Sequence, residues 1–204
     1  PAYSQVSFSP VFSTSSRISR PGQSTALALS TCFSLGIEIS GLSKYDESGQ
    51  KRTVVPVLAL PTSPTTSSFD FTLPLAKRVG EAVGVEGDQG LVDRAKENAQ
   101  RNGIANAVFF AADLSQDISA QLWKTRRFNK ILLDPPRAGA LDVLKQLNLK
   151  GVERIVYVSC HPASLARDAA YLVQERGYRL SQAGAMDMFP QTAHVESIAV
   201  FETV

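Results

Sequence analysis

The sequence predicts an α/β fold built on a mostly parallel, doubly wound sheet. From Phe71 onward, short apolar runs of strand type alternate with amphipathic segments of helical length, which is the pattern of parallel strands joined by helical crossovers. The last two runs, YRLSQAGAMDMF and VESIAVFETV, follow each other with no helical segment between them. We therefore expect these two runs to form an antiparallel edge on the sheet.

The first third of the chain lacks this order. Residues 1–69 are rich in Ser, Thr and Pro, and only TVVPVLAL (Thr53–Leu60) has the composition of a strand. Pro56 interrupts that run, because proline has no N–H to donate to a ladder. We expect residues 1–69 to be an irregular segment, degenerate or translated out of frame, and residues 70–204 to form the folded domain.

The first short apolar run of the domain is EAVGVE (Glu81–Glu86), which we interpret as a strand. A helix follows, with Asp88 as its N-cap and Asn102-Gly103 as its stop, and its apolar residues share one face. NAVFFAAD then predicts a strand, and SQDISAQLWKT predicts a short helix.

The second half repeats the alternation. NKILLD and ERIVYVS predict two buried strands, with the helical segment ALDVLKQLNL between them. PASLARDAAYLVQERG predicts a helix that has Pro162 in its first turn, where proline is favoured.

The composition excludes several classes of protein. The chain has 204 residues, 44% of them hydrophobic, which suits one domain with an appendage. A net charge of +2 is compatible with nucleic acid but too small to indicate it. Cys32 and Cys160 are too few for a disulfide framework, and with two His the chain predicts no metal site. Without an apolar run of about eighteen residues or a signal-peptide pattern, we expect a cytoplasmic protein.

Four successive strands each end in a polar or reactive side chain: Glu86, Asp113, Asp134 and Cys160. In doubly wound sheets, ligands bind beyond the carboxyl ends of the strands, so we expect these four residues to line one site.

Each carboxylate has a functional and a structural interpretation. Glu86 suits the two hydroxyls of a ribose, or it is an acid favoured ahead of a helix. Asp113 could accept from an adenine amine or cap the next segment. Asp134 opens DPPRAG, whose prolines make a rigid loop suited to hold a flat base, or it is a local acceptor in a turn.

Cys160 lies at a predicted helix N-terminus, where the helix dipole should lower the pKa of its thiol and favour a nucleophilic thiolate. Arg167 and Arg137 could add to this effect. The alternative is a small buried hydrophobic residue. Glu196, which enters an apolar strand, could be a base with a raised pKa, or an edge carboxylate that faces water.

Three motifs, LLDPPRAGA, RIVYVSCHPASLARD and MDMFPQTAHVES, occur in this order. Together they resemble the RNA uracil-5-methyltransferases that use S-adenosylmethionine, over Asp70 to Val204. The ARD after the cysteine and the last motif are more similar to the ribosomal RNA branch than to the tRNA branch. The resemblance implies the Rossmann-like fold of class I S-adenosylmethionine-dependent methyltransferases and methylation of C5 of a uridine in 23S rRNA.

The resemblance also implies roles. Cys160 would attack C6 of the uracil to make C5 nucleophilic, and Glu196 would remove the C5 proton. Glu86, Asp113 and Asp134 would surround S-adenosylmethionine, as would Asp70, which stands where the family has Asn. The partner would be ribosomal RNA with an unpaired or flipped uridine. We expect a monomer with no membrane contact and no iron–sulfur cluster.

One departure leaves an alternative open. The family carries a glycine-rich cofactor loop just before TLPLA, whereas this chain has PTSPTTSSFDF. Only glycine lets a backbone approach a ligand closely, so an inactive remnant, or an RNA-binding module that no longer holds the cofactor, is the second interpretation. A third interpretation is a cytosine-5 RNA methyltransferase, which also attacks C6 with a cysteine. Such enzymes usually carry a second cysteine in the loop that is DPPR in this chain, and its absence there argues against this interpretation.

Overall fold

The computed structural model describes residues 53–59, 71–186 and 195–204 of the chain. The strands are β1 (Thr53–Ala59), β2 (Glu81–Glu86), β3 (Ala107–Ala111), β4 (Lys130–Asp134), β5 (Arg154–Ser159), β6 (Tyr178–Met186) and β7 (Glu196–Thr203). The helices are α1 (Thr72–Ala76), α2 (Gln89–Arg101), α3 (Leu141–Gln146) and α4 (Pro162–Glu175), with one 3₁₀ turn at Leu122–Thr125.

The strands form one seven-stranded sheet in the order β3-β2-β1-β4-β5-β7-β6. The first five are parallel, while β7 runs antiparallel to both β5 and β6. This confirms the predicted mostly parallel sheet with an antiparallel C-terminal edge.

The strand β1 lies at the centre of the sheet, between β2 and β4. It falls within residues 1–69, where an irregular segment is expected, and the other residues of that segment are outside those described. The β1–β2 register shifts between Val54 and Pro56, because a proline cannot donate to the ladder. The sheet accommodates Pro56 as an irregularity in a central strand, so the interruption that the sequence predicts is real but does not remove the strand.

Apolar residues cover both faces of the sheet, as a doubly wound fold requires. On one face Leu133, Tyr157 and Phe201 pack in the largest core cluster, which also contains Trp123 and residues of α3 and α4. On the other face Leu132 and Val158 pack against Phe71 and the short helix α1, while α2 covers the β3 edge. Among the described residues, no helix is long and apolar enough to cross a bilayer.

The predicted ends of α2 are confirmed. The Asp88 side chain accepts a hydrogen bond from the Leu91 N–H at 2.9 Å, which is an N-cap contact. Asn102 is the C-cap, and Gly103 follows with a φ of 64°, a left-handed conformation that glycine adopts without strain.

The short helix predicted for SQDISAQLWKT is wrong, apart from the 3₁₀ turn at its end. Asp113 and Asp117 accept from the N–H groups of Ser115 and Ser119, at 2.9 and 2.8 Å. The Ile118 N–H donates to a Gln146 side-chain oxygen at 3.0 Å. These side chains take up the N–H groups that a helix would use, and the segment forms Asx turns instead.

Candidate active site

The carboxyl ends of the parallel strands bring several predicted residues to one edge. Glu86 and Asp134 both pair with Ala59, the last residue of β1, so the three lie in a row across β2, β1 and β4. Neighbouring strands are about 4.8 Å apart, which separates the two carboxylate-bearing backbones by about 10 Å. Cys160 directly follows β5, the next strand along this edge.

Cys160 lies opposite Glu196. Ser159 pairs with Ser197 in the antiparallel β5–β7 ladder, and continuing that register by one position puts Cys160 across from Glu196. Both side chains are partly exposed at the rim of the sheet. The antiparallel edge therefore joins a thiol and a carboxylate that are far apart in the sequence.

The backbone around Cys160 is fixed on both sides. The fully buried Ser159 hydroxyl accepts from the His161 N–H and donates to the His161 carbonyl, both at 3.1 Å. His161 is the N-cap of α4, and its ring nitrogen accepts from the Ser164 N–H at 3.4 Å. Cys160 thus lies in a short, hydrogen-bonded connection between β5 and α4.

The expected fall in the pKa of the Cys160 thiol is contradicted. Burial raises the pKa of this thiol, and the nearby carboxylates of Glu196 and Asp134 raise it further. Arg137 and a backbone hydrogen bond lower the pKa, but they do not outweigh the other effects. Arg167 pairs with Asp168 and with the Ala138 carbonyl, at 2.7 and 2.8 Å, and it is not among the described groups that shift the pKa of this thiol.

Glu86 is fully buried at the end of β2. One of its carboxylate oxygens accepts from the Gly87 N–H at 2.8 Å, which fixes the side chain against the strand end. Its own carbonyl accepts from the Ala112 N–H at 2.8 Å and so holds the end of β3 beside it. A carboxylate in this position suits hydroxyl donors that come from beyond the sheet edge.

Asp113 makes hydrogen bonds to the segment that directly follows it, as its structural interpretation predicts. It is exposed, and one of its oxygens accepts from the Ser115 N–H at 2.9 Å and from the Ser115 hydroxyl at 2.6 Å. These hydrogen bonds hold the pKa of Asp113 below its usual value. Asp70 is outside the described residues, so the structure does not report its position.

The set of groups at this edge is rich in acceptors. Carboxylates suit the hydroxyl and amine groups of a nucleoside and the positive charge of a sulfonium. Among the described ranges, no group of three His, Cys, Asp or Glu side chains is arranged to hold a metal ion. One feature that sequence analysis missed is the buried carboxylate of Asp168, which lies in the ARD motif and fixes the DPPRAG loop.

Comparison with known proteins relates this edge to a family. A family model described as tRNA (Uracil-5-)-methyltransferase matches residues 67–204. The chain is 70% identical over 133 residues to the 23S rRNA (uracil(1939)-C(5))-methyltransferase RlmD of Stenotrophomonas maltophilia (strain R551-3). It is 71% identical over 133 residues to the protein of the same name in Xanthomonas axonopodis pv. citri (strain 306). These matches cover 65% of this chain and 30% of each relative, so the chain spans under a third of their length.

Solved structures agree with this assignment. The chain is similar to Pyrococcus abyssi tRNA (uracil-54, C5)-methyltransferase in complex with S-adenosyl-L-homocysteine, with a TM-score of 0.60 and 28% identity over 84% of this chain and 38% of that one. It is also similar to M. capricolum TrmK in complex with S-adenosyl-homocysteine, with a TM-score of 0.53 and 10% identity over 74% and 62%, which shows the fold alone. Since the family model matches more than half of the residues, the chain belongs to the tRNA (uracil-5-)-methyltransferase family.

Proposed function

We propose that this chain is the catalytic part of an enzyme that transfers a methyl group from S-adenosylmethionine to C5 of a uridine in 23S rRNA. Family membership and 70% identity to proteins named for that reaction support the proposal. The observation that carries it is the placement of Cys160 opposite Glu196, at the sheet edge where this class of fold binds ligands.

The reaction needs a nucleophile because C5 of uracil does not attack a methyl donor by itself. The thiol of Cys160 loses its proton to solvent, and the thiolate sulfur forms a bond to C6 of the uracil. The electron pair of the C5–C6 double bond moves towards the carbonyl, which makes C5 enolate-like and nucleophilic. The target base must be unpaired or flipped out of a helix to reach this edge.

The cofactor site is proposed on the same edge. Glu86 would hold the ribose hydroxyls, while Asp113 and Asp70 would lie near the adenosine and Asp134 at the junction with the base. The buried carboxylate of Glu86, fixed by the Gly87 N–H, fits a ligand that carries paired hydroxyl donors. When bound, S-adenosylmethionine would supply an electrophilic methyl group to C5, and the S–CH₃ electron pair would stay with the sulfur of S-adenosylhomocysteine.

Glu196 completes the cycle as the base. After C5 carries a methyl group, the Glu196 carboxylate takes the C5 proton, and the electrons of that C–H bond restore the C5–C6 double bond. The sulfur–carbon bond at C6 breaks and the thiolate returns to Cys160. Its place across the ladder from Cys160 supports this role, since the thiol and the base must reach adjacent ring atoms.

The test is intact-mass analysis of the full chain mixed with S-adenosylmethionine and an RNA loop that carries 5-fluorouridine. The relatives are named for uracil 1939, so the loop should have the sequence around that position. Fluorine at C5 prevents proton removal, and the enzyme should stay bound to methylated RNA. Cys160→Ala is the control and should form no adduct.

The other outcomes separate the alternatives. No adduct together with no cofactor binding would favour an inactive remnant, as the missing glycine loop suggests. No adduct despite cofactor binding would indicate that RNA capture needs parts of the relatives that this chain does not span.

A further inference from the structure

A fully buried carboxylate lies on the second turn of α4, outside the residues assigned above to the reaction. One oxygen of Asp168 accepts from the Ala140 N–H and from the Tyr157 hydroxyl, both at 2.6 Å. Its other oxygen accepts from the Arg167 Nε at 2.8 Å. Burying a charge is costly unless it is paired and hydrogen-bonded, so this carboxylate depends on these donors.

The donors come from three separate elements. Tyr157 is on β5, Arg167 is on α4, and Ala140 ends the loop that follows β4. Arg167 also donates to the Ala138 carbonyl at 2.8 Å, and the Tyr157 hydroxyl accepts from the Ala140 N–H at 3.1 Å. We call these four residues, with Asp168, the Asp168 cluster. It ties the loop of residues 134–140 to β5 and α4 at two backbone positions.

Gly139 shows how closely the loop is packed against this cluster. Its φ of +86° is in the left-handed region. A Cβ atom at this position would lie 2.6 Å from an Asp168 oxygen and 2.6 Å from an Arg167 nitrogen. The loop therefore fits only with glycine there, and it has little freedom to move while the cluster is intact.

The same loop carries groups that act on the nucleophile. Asp134 begins it and Arg137 follows the two prolines, and both interact electrostatically with the Cys160 thiol. Among the residues that the structure describes, Glu196 is the third charged group that acts on this thiol, and it comes from β7 rather than from the loop.

We propose that Asp168 is a positioning residue, which holds the 134–140 loop against β5 and α4 so that Arg137 and Asp134 stay beside Cys160. The contribution of Asp168 to methylation rests on the function proposed above. The effect of Asp168 on the Cys160 thiol is independent of that function. A carboxylate is required because it only accepts, and the cluster supplies three donor groups. An asparagine offers one accepting oxygen, and its amide nitrogen would meet a donor.

The test measures the rate of alkylation of Cys160 by iodoacetamide as a function of pH, with peptide mapping to separate it from Cys32. The variants are Asp168→Asn and the milder Tyr157→Phe, which removes one donor to Asp168. Tyr157→Phe tests the proposal even if Asp168→Asn does not fold. Tyr178→Phe is the matched control, since it also removes one buried tyrosine hydroxyl, bonded to the Val152 carbonyl at 2.7 Å and away from the loop. Thermal unfolding of each variant reports the loss of stability alone.

Arg137 lowers the pKa of the thiol and acts on it more strongly than Asp134, so release of the loop should reduce the thiolate fraction. We expect several-fold slower alkylation near pH ~8 in both cluster variants, but not in Tyr178→Phe. The effect should disappear in an Arg137→Gln background. The proposal would be overturned if the cluster variants were alkylated as fast as Tyr178→Phe. It would also be overturned if the slower alkylation persisted in full in the Arg137→Gln background. A shifted pH profile of alkylation in a chain that binds no S-adenosylmethionine would count against the proposed function and leave the role of Asp168 standing.

Discussion

Replacing Gly139 by alanine tests the packing of the loop directly. The backbone at this position has a φ of +86°, and the structure offers a close match in Gly151, with a φ of +84°. An added Cβ at Gly151 would meet nothing within 4 Å, whereas at Gly139 it would meet Asp168 and Arg167 at 2.6 Å. The two substitutions therefore share the backbone cost and differ in the collision.

The expected loss of unfolding free energy follows from comparing the two variants. A left-handed backbone costs an alanine about 1–2 kcal/mol, and both variants lose this amount. Overpacking costs about 1–3 kcal/mol more, and only Gly139→Ala should lose this amount, because the Asp168 oxygen that its Cβ would meet is buried and hydrogen-bonded. We expect Gly139→Ala to lower the free energy of unfolding by this additional amount relative to Gly151→Ala.

Urea unfolding of both variants, followed by far-UV circular dichroism, measures the difference. Alkylation of Cys160 supplies a second readout, which should slow in Gly139→Ala and stay unchanged in Gly151→Ala. Equal losses of stability would refute the reasoning, because they would show that the loop can move away from Asp168 without cost.

Three further predictions concern the proposed nucleophile Cys160, the proposed base Glu196 and a helix cap. Glu196→Gln should lower the pKa of the Cys160 thiol, because it removes a neighbouring negative charge. Alkylation of Cys160 at a given pH below that pKa should therefore be faster than in the unmodified chain. An unchanged pH profile of alkylation would contradict this prediction. The same variant should accumulate the covalent adduct with ordinary, unfluorinated RNA, because proton removal at C5 is blocked, and intact mass would detect it. Asp88→Ala should destabilise the chain by about 1 kcal/mol in urea unfolding through loss of the 2.9 Å cap to Leu91, while its Asp88→Asn counterpart should lose much less.

The sequence predicted those parts of the fold that local patterns determine. The parallel strands, the antiparallel edge and the Asp88 cap all follow from apolar spacing and from one side chain near a helix start. The placement of β1 did not follow, since a proline argues against a central strand and only the neighbouring strands show that the ladder tolerates it. The helix expected after β3 failed because Asp113 and Asp117 compete for backbone N–H groups, an effect that helical periodicity does not measure.

The pKa of the Cys160 thiol also could not be predicted from the local sequence. A cysteine ahead of a helix predicts a lowered pKa when only its own segment is considered. The structure adds a carboxylate from β7, another from the end of β4, and burial, and each of these disfavours the thiolate. Neither carboxylate is encoded near Cys160. Glu196 acts on the thiol because β7 pairs antiparallel with β5, and Asp134 does so because β4 is the parallel neighbour of β5 on the other side. The topology that brings the proposed base Glu196 beside Cys160 therefore also disfavours the thiolate of Cys160, and Arg137, on the loop that Asp168 contacts, partly offsets that effect.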